Sequence, residues 1–146
     1  MPPSPTVTPS PSRTPAPPPT PSTPAPPVAA PPAPTWPPSV GEEEVMHGGP
    51  GPWWAVVLEV SDGAAGLPPV DGPQDQELAG LGYWAGGTPL ACVSNAVEAL
   101  TLDPGVQWWG RVLYFASAQD AETFVRSWDR PVAGIVADAD LACDWG

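Results

Sequence analysis

The chain has 146 residues, about one domain's worth, and sets 16 acids against four arginines and no lysine, for a formal net charge of −12. Nucleic acid and anionic lipid surfaces both demand a basic footprint, so neither is an expected partner. The charge instead favours solubility and repels other polyanions.

Residues 1–40 hold 18 of the 26 prolines and 11 Ser or Thr, with Arg13 the only charge and Trp36 the only aromatic residue. Such a segment cannot bury enough apolar surface to offset its ordering entropy, and it reads as a polyproline II spacer. At about 3.1 Å per residue, such a spacer reaches roughly 120 Å when extended. "GEEEVMHGGPGP", residues 41–52, is an acidic, Gly- and Pro-rich hinge holding His47, the only histidine. A general base must be held against its partner, so His47 is not expected to be catalytic. The predicted organisation is a disordered tail and acidic hinge over residues 1–50 and a single domain over 51–146.

"WAVVLEV" alternates, placing Trp54, Val56, Leu58 and Val60 on one face, as a half-buried strand does. A turn-rich stretch, "SDGAAGLPPVDGP", leads to a helix opening at Pro73, capped by Asp71 or Gly72, with Leu78 and Leu81 on its apolar side. "GYWAGG" is a weak strand or an irregular loop. Thr88 as N-cap, Pro89 at the first helical position and the spacing of Val93, Ala96, Val97 and Leu100 predict a second helix over 89–101, ended by "DPG". "RVLYFA" is a strand, with Gly110 before it marking a bulge or the strand start. Ser117 and Asp120 resemble a capping box; Ala121, Phe124, Val125 and Trp128 form an apolar stripe, and Glu122 and Arg126 pair on the wet side. "RPVAGIVADADLAC" supplies a last strand. The order predicts a small α+β sandwich, a mainly antiparallel sheet with helices on one face.

The sequence carries no strong catalytic signature. A GxGxxG, a P-loop and a CxxC are absent, and two cysteines with one hinge histidine are too few ligands for tetrahedral zinc. Asp138, Asp140 and Asp144 could suggest a glycosidase or a calcium loop, but acids so spaced are more often simply solvated. The expectation is a non-enzyme with no metal and no cofactor.

Cys92 and Cys143 are two reduced thiols if the chain is cytoplasmic, or a disulfide if it is exported. The disulfide is the favoured reading; a bond there closes a loop of about 50 residues and stabilises by roughly 4 kcal/mol on the chain-entropy model. Met1 is followed by prolines, not by a secretory signal, and "WWAVVLEV" is far shorter than the roughly 20 residues that span a bilayer. The chain is therefore cytoplasmic if Met1 is the true start. Otherwise it is the outer part of a longer secreted or membrane-tethered protein. The Trp53–Trp54 and Trp108–Trp109 pairs each open a strand, where alternation turns one member away from the core, either to bind or to pack at its rim.

"WAVVLEV" and "GRVLYFASAQDAETFVRSWDRPVAGIVA" resemble the SPOR domain, a peptidoglycan-binding module of bacterial envelope proteins, over residues 53–140 and best over 111–137. The chain departs from that pattern at Glu59, Val60 and Ser61, in the 89–101 insertion and in its cysteine pair. The resemblance implies a ferredoxin-like βαββαβ fold and glycan lying across an exposed sheet face near Trp54, Arg111 and Tyr114, and Trp109 of the second tryptophan pair is a further candidate binding residue. The Trp-led first strand, "LACVSNAVEAL", "VLYF" with its following helix and the closing Cys-Asp also resemble C-terminal extracytoplasmic domains. Those follow Pro/Thr-rich linkers in high-GC bacterial membrane proteins, including receptor-type serine/threonine kinases. Together these imply a monomeric binding module for cell-wall glycan or an envelope protein, or alternatively a sensory, protein-binding regulatory domain.

Overall fold

The computed structural model of the protein describes residues 1–25, 35–49, 51–67 and 71–143. The chain divides into two units, Met1–Pro32 and Ala33–Gly146. In the first, residues 1–25 carry no helix or strand and every one of them is exposed. The predicted turn at 68–70, the tail residues 26–34, and Asp144 and Trp145 lie outside the described residues.

The second unit runs α1 (Glu42–Met46), β1 (Trp54–Asp62), α2 (Pro73–Gly80), β2 (Gly86–Pro89), a 3₁₀ turn (Leu90–Cys92), α3 (Ala96–Ala99), β3 (Trp108–Phe115), α4 (Ala118–Trp128) and β4 (Gly134–Val136). All pairings are antiparallel in the order β2-β3-β1-β4. With α2 between β1 and β2 and α4 between β3 and β4, this is the split βαβ arrangement of ferredoxin-like folds, an α+β domain as expected. Its best-predicted segment folds by local rules: Ser117 accepts the Asp120 N–H at 3.1 Å, opening α4. Ala121, Phe124 and Trp128 then face the sheet. The expected Glu122–Arg126 pair does not form; Arg126 donates to Thr123 Oγ1 at 3.2 Å instead.

Three expectations are corrected. First, the sheet is covered on both faces, not one. Val56, Leu58, Leu113 and Phe115 pack under α2 and α4 through Leu78, Ala121, Phe124 and Trp128. Ala55, Val57, Val112, Tyr114 and Val136 pack against Val45 of α1, Leu90, Cys92, Val93, Ala96 of α3 and Leu141. The physical reason lies in "AVVL" and "VLYF", which are apolar at both parities and so need burial on both sides.

Second, the predicted helix over 89–101 is broken. Thr88 and Pro89 instead end β2, opposite Gly110 and Trp109. Val93 is extended and bridges Leu141, and Asn95 turns left-handed at φ 65°, so only Ala96–Ala99 remain α-helical. Long-range pairing and the Cys92 crosslink override the local periodicity.

Third, the domain begins upstream of residue 51. Val40 forms a bridge to Tyr114, its N–H donating to the Tyr114 carbonyl at 2.8 Å, on the β3 edge where β2 has not yet started. Val45 is 3% exposed on one face of the sheet and Trp36 packs into the core on the other, so the segment wraps around that edge. The acidic hinge is a working part of the fold.

Candidate functional site

The residues expected to read a ligand on an open sheet face are not on one. Tyr114 is 1% exposed and Arg111 2% exposed, and they sit in opposite layers because residues three apart on a strand point to opposite faces. Tyr114 lies under α1, and burial together with the negative charge of Glu42 raises its pKa above the ordinary tyrosine value. Glu42 is held there by Thr88 Oγ1, which donates to it at 3.0 Å. Arg111 lies under α2, ion-paired with Asp75; burial lowers its pKa while Glu59, its cross-strand neighbour, pulls the other way. Trp54 is half-buried at the margin of the α4 layer, and Trp109 is half-buried opposite Pro89 and Ser61. Trp53 is 3% exposed in the other layer, and half-buried Trp108 packs against that layer too, its Nε1–H donating to the Asp103 carbonyl at 2.8 Å. With cores on both faces, Trp53, Trp54 and Trp108 each pack against the layer on their own side.

Cys92 and Cys143 are joined by a disulfide with Cα atoms 4.8 Å apart, across a separation of 51 residues. Around it the C-terminal segment is stitched to the domain: Ser94 N–H to Asp140 O at 2.9 Å, Ala142 N–H to Cys92 O at 2.8 Å and Ala139 N–H to Trp53 O at 2.9 Å. Asp138 and Asp140 are exposed. Among the described residues no three His, Cys, Asp or Glu side chains come together as a metal site requires. His47 Nδ1 donates to the Glu43 carbonyl at 2.6 Å, exposed at the end of its own short helix. No helix among the described residues is long and apolar enough to cross a membrane.

Sequence reasoning passed over Trp84. It is 76% exposed, beside a shallow groove formed by Ser39, Val40, Gly41, Glu42, Glu43 and Gly82. Its neighbour Tyr83 is 4% exposed and faces the core. The signal was the Tyr-Trp pair in "GYWAGG": between glycines, one ring of such a pair can be buried while its neighbour stays in solvent. Comparison with known protein families, with curated proteins and with solved structures returns no match.

Proposed function

We propose that this chain is a non-catalytic, extracytoplasmic binding module, displayed on a proline-rich spacer, whose partner is an envelope protein contacted at Trp84. The observation that carries this reading is the exposed indole beside Glu42 and Glu43. A protein segment bearing Arg or Lys gains a desolvated aromatic contact, a cation–π interaction and carboxylate pairing there. The disulfide supports an oxidising compartment, where such bonds form and persist. The sheet-face glycan mode implied by the SPOR resemblance loses its support, because Arg111 and Tyr114 are inside the fold.

The test places a photo-crosslinking amino acid at position 84 of the full chain in its native host and, in parallel, sediments the purified chain with peptidoglycan sacculi. The expected result is a crosslink to one polypeptide that disappears when Glu42 and Glu43 are changed to Lys, with no retention on sacculi. Retention on sacculi that Trp84→Ala abolishes would replace the protein partner by glycan. Absence of both the crosslink and retention on sacculi would refute the binding-module reading.

A further inference from the structure

The end of the proline-rich segment is seated in the domain as a ligand is seated in a groove. Trp36 precedes Pro37 and Pro37 precedes Pro38, so this stretch is restricted to extended and polyproline II conformations and loses little entropy on docking. The Trp36 ring lies 6.1 Å from Tyr83, edge-on at 72°, and 5.8 Å from Phe124. The Tyr83 hydroxyl donates to the Pro37 carbonyl at 2.5 Å, and Pro37 is buried. Tyr83 comes from the loop after α2 and Phe124 from α4, so the seat is assembled by the fold and not by the segment that fills it.

Aromatic walls and a tyrosine hydroxyl aimed at a proline carbonyl are the means by which proline-rich peptides are read. Trp36 is the only aromatic residue of this chain that precedes a proline, so no other part of the tail can supply the same contacts. The segment is joined to β1 through short α1 and a link containing Gly48, Gly49 and Gly51, with Gly48 at φ 70°.

We propose that the Tyr83–Phe124 seat is a binding site for peptides in which an aromatic residue precedes a proline pair, and that Trp36–Pro37–Pro38 occupies it in cis. This goes beyond the Trp84 reading and does not depend on it, since the two use different side chains. Tethering fills the seat at an effective concentration of about millimolar, so a free peptide meets an occupied site in the wild-type chain and an open one when the tethered tryptophan is removed.

The experiment uses full-length Trp36→Ala and a fluorescein-labelled peptide, Thr-Trp-Pro-Pro-Ser-Val-Gly, followed by anisotropy. The variant should bind this peptide at least about tenfold more tightly than wild type does. It should not bind the control Thr-Ala-Pro-Pro-Ser-Val-Gly, and adding Tyr83→Phe should weaken the interaction several-fold. A folded Trp36→Ala chain that ignores millimolar peptide, or binds it no better than wild type, overturns the proposal. Should Trp36→Ala not fold, hydrogen exchange at the Val40 amide of wild type decides. Excess peptide should speed that exchange by displacing the tethered segment, and unchanged exchange overturns the proposal.

Discussion

Arg111 of β3 and Asp75 of α2 form an ion pair beneath the helix layer, the arginine side chain 3% exposed and the aspartate 14%. The same carboxylate accepts the Gly72 N–H at 3.0 Å, so one side chain closes the first turn of α2 and neutralises a cation on the sheet. Asp75→Asn leaves that cation buried beside an amide, and loss of one partner of a buried pair costs about 3–5 kcal/mol. Adding Arg111→Met removes the charge and should recover most of the loss, because an apolar replacement of a buried pair is often neutral. Urea unfolding of the wild type, the single variant and the double variant measures both effects. A loss of under about 1 kcal/mol in Asp75→Asn would show that the pair does not anchor α2 to the sheet.

Both tyrosines of the chain resist ionisation. Burial, then the charge of Asp120, pushes Tyr83 up to about 12, and burial, then Glu42, raises Tyr114 as well. The sign follows from the bound protons. Between the ordinary value near 10 and the raised values, the unfolded chain has lost phenolic protons that the folded chain keeps. Stability is therefore fully present below about pH 10 and falls as pH rises through the folded values. Tyrosinate absorbance at alkaline pH should appear only near pH 12, together with loss of the far-ultraviolet signal. Phenolate forming near pH 10 with the fold intact would place at least one ring in solvent.

The parts of this fold legible in the sequence are those encoded locally. The Ser117 cap and the Ala121, Phe124 and Trp128 stripe define α4 without help from elsewhere, and "VLYF" is a strand under any neighbours. The stretch from Thr88 to Leu100 was misread because its decisive partners are distant: Gly110 and Trp109 across the sheet, and Leu141 and Cys143 near the C-terminus. The candidate site failed for a related reason. Reading β1 as alternating hid the fact that Ala55, Val56, Val57 and Leu58 are all buried, which leaves no open sheet face. The boundary at residue 51 hid Trp36, Val40 and Val45, whose apolar side chains stood out from a proline-rich and acidic background.

Reduction of the Cys92–Cys143 bond is expected to act on the unfolded chain more than on the folded one. The bond spans 51 residues, and opening a loop of that length costs about 4 kcal/mol of stability in the chain-entropy model. The reduced unfolded chain is also more expanded, so its urea m-value should rise. Cys92→Ser paired with Cys143→Ser should match the reduced protein in both respects. Two titratable thiols in denatured, unreduced protein from the native host would contradict the bond itself.

Gly110 of β3 lies close against Leu90 of the 3₁₀ turn that follows β2. A Cβ on Gly110 would fall 2.5 Å from Leu90 Cδ2 and 3.1 Å from its Cγ. Leu90 is fully buried and so has no free direction in which to retreat. Gly110→Ala should therefore destabilise by overpacking, about 1–3 kcal/mol, although the residue sits in a strand where alanine is otherwise tolerated. Leu90→Ala should cost about 2–5 kcal/mol by opening a cavity on the same spot. In the double variant the new methyl group enters the space that the leucine vacated, so the two losses should fall short of their sum by about 1 kcal/mol or more. Chemical denaturation of all four proteins measures that coupling. Simple additivity would mean that the turn shifts away from β3 when Gly110 is replaced, and that the glycine is not what fixes its approach.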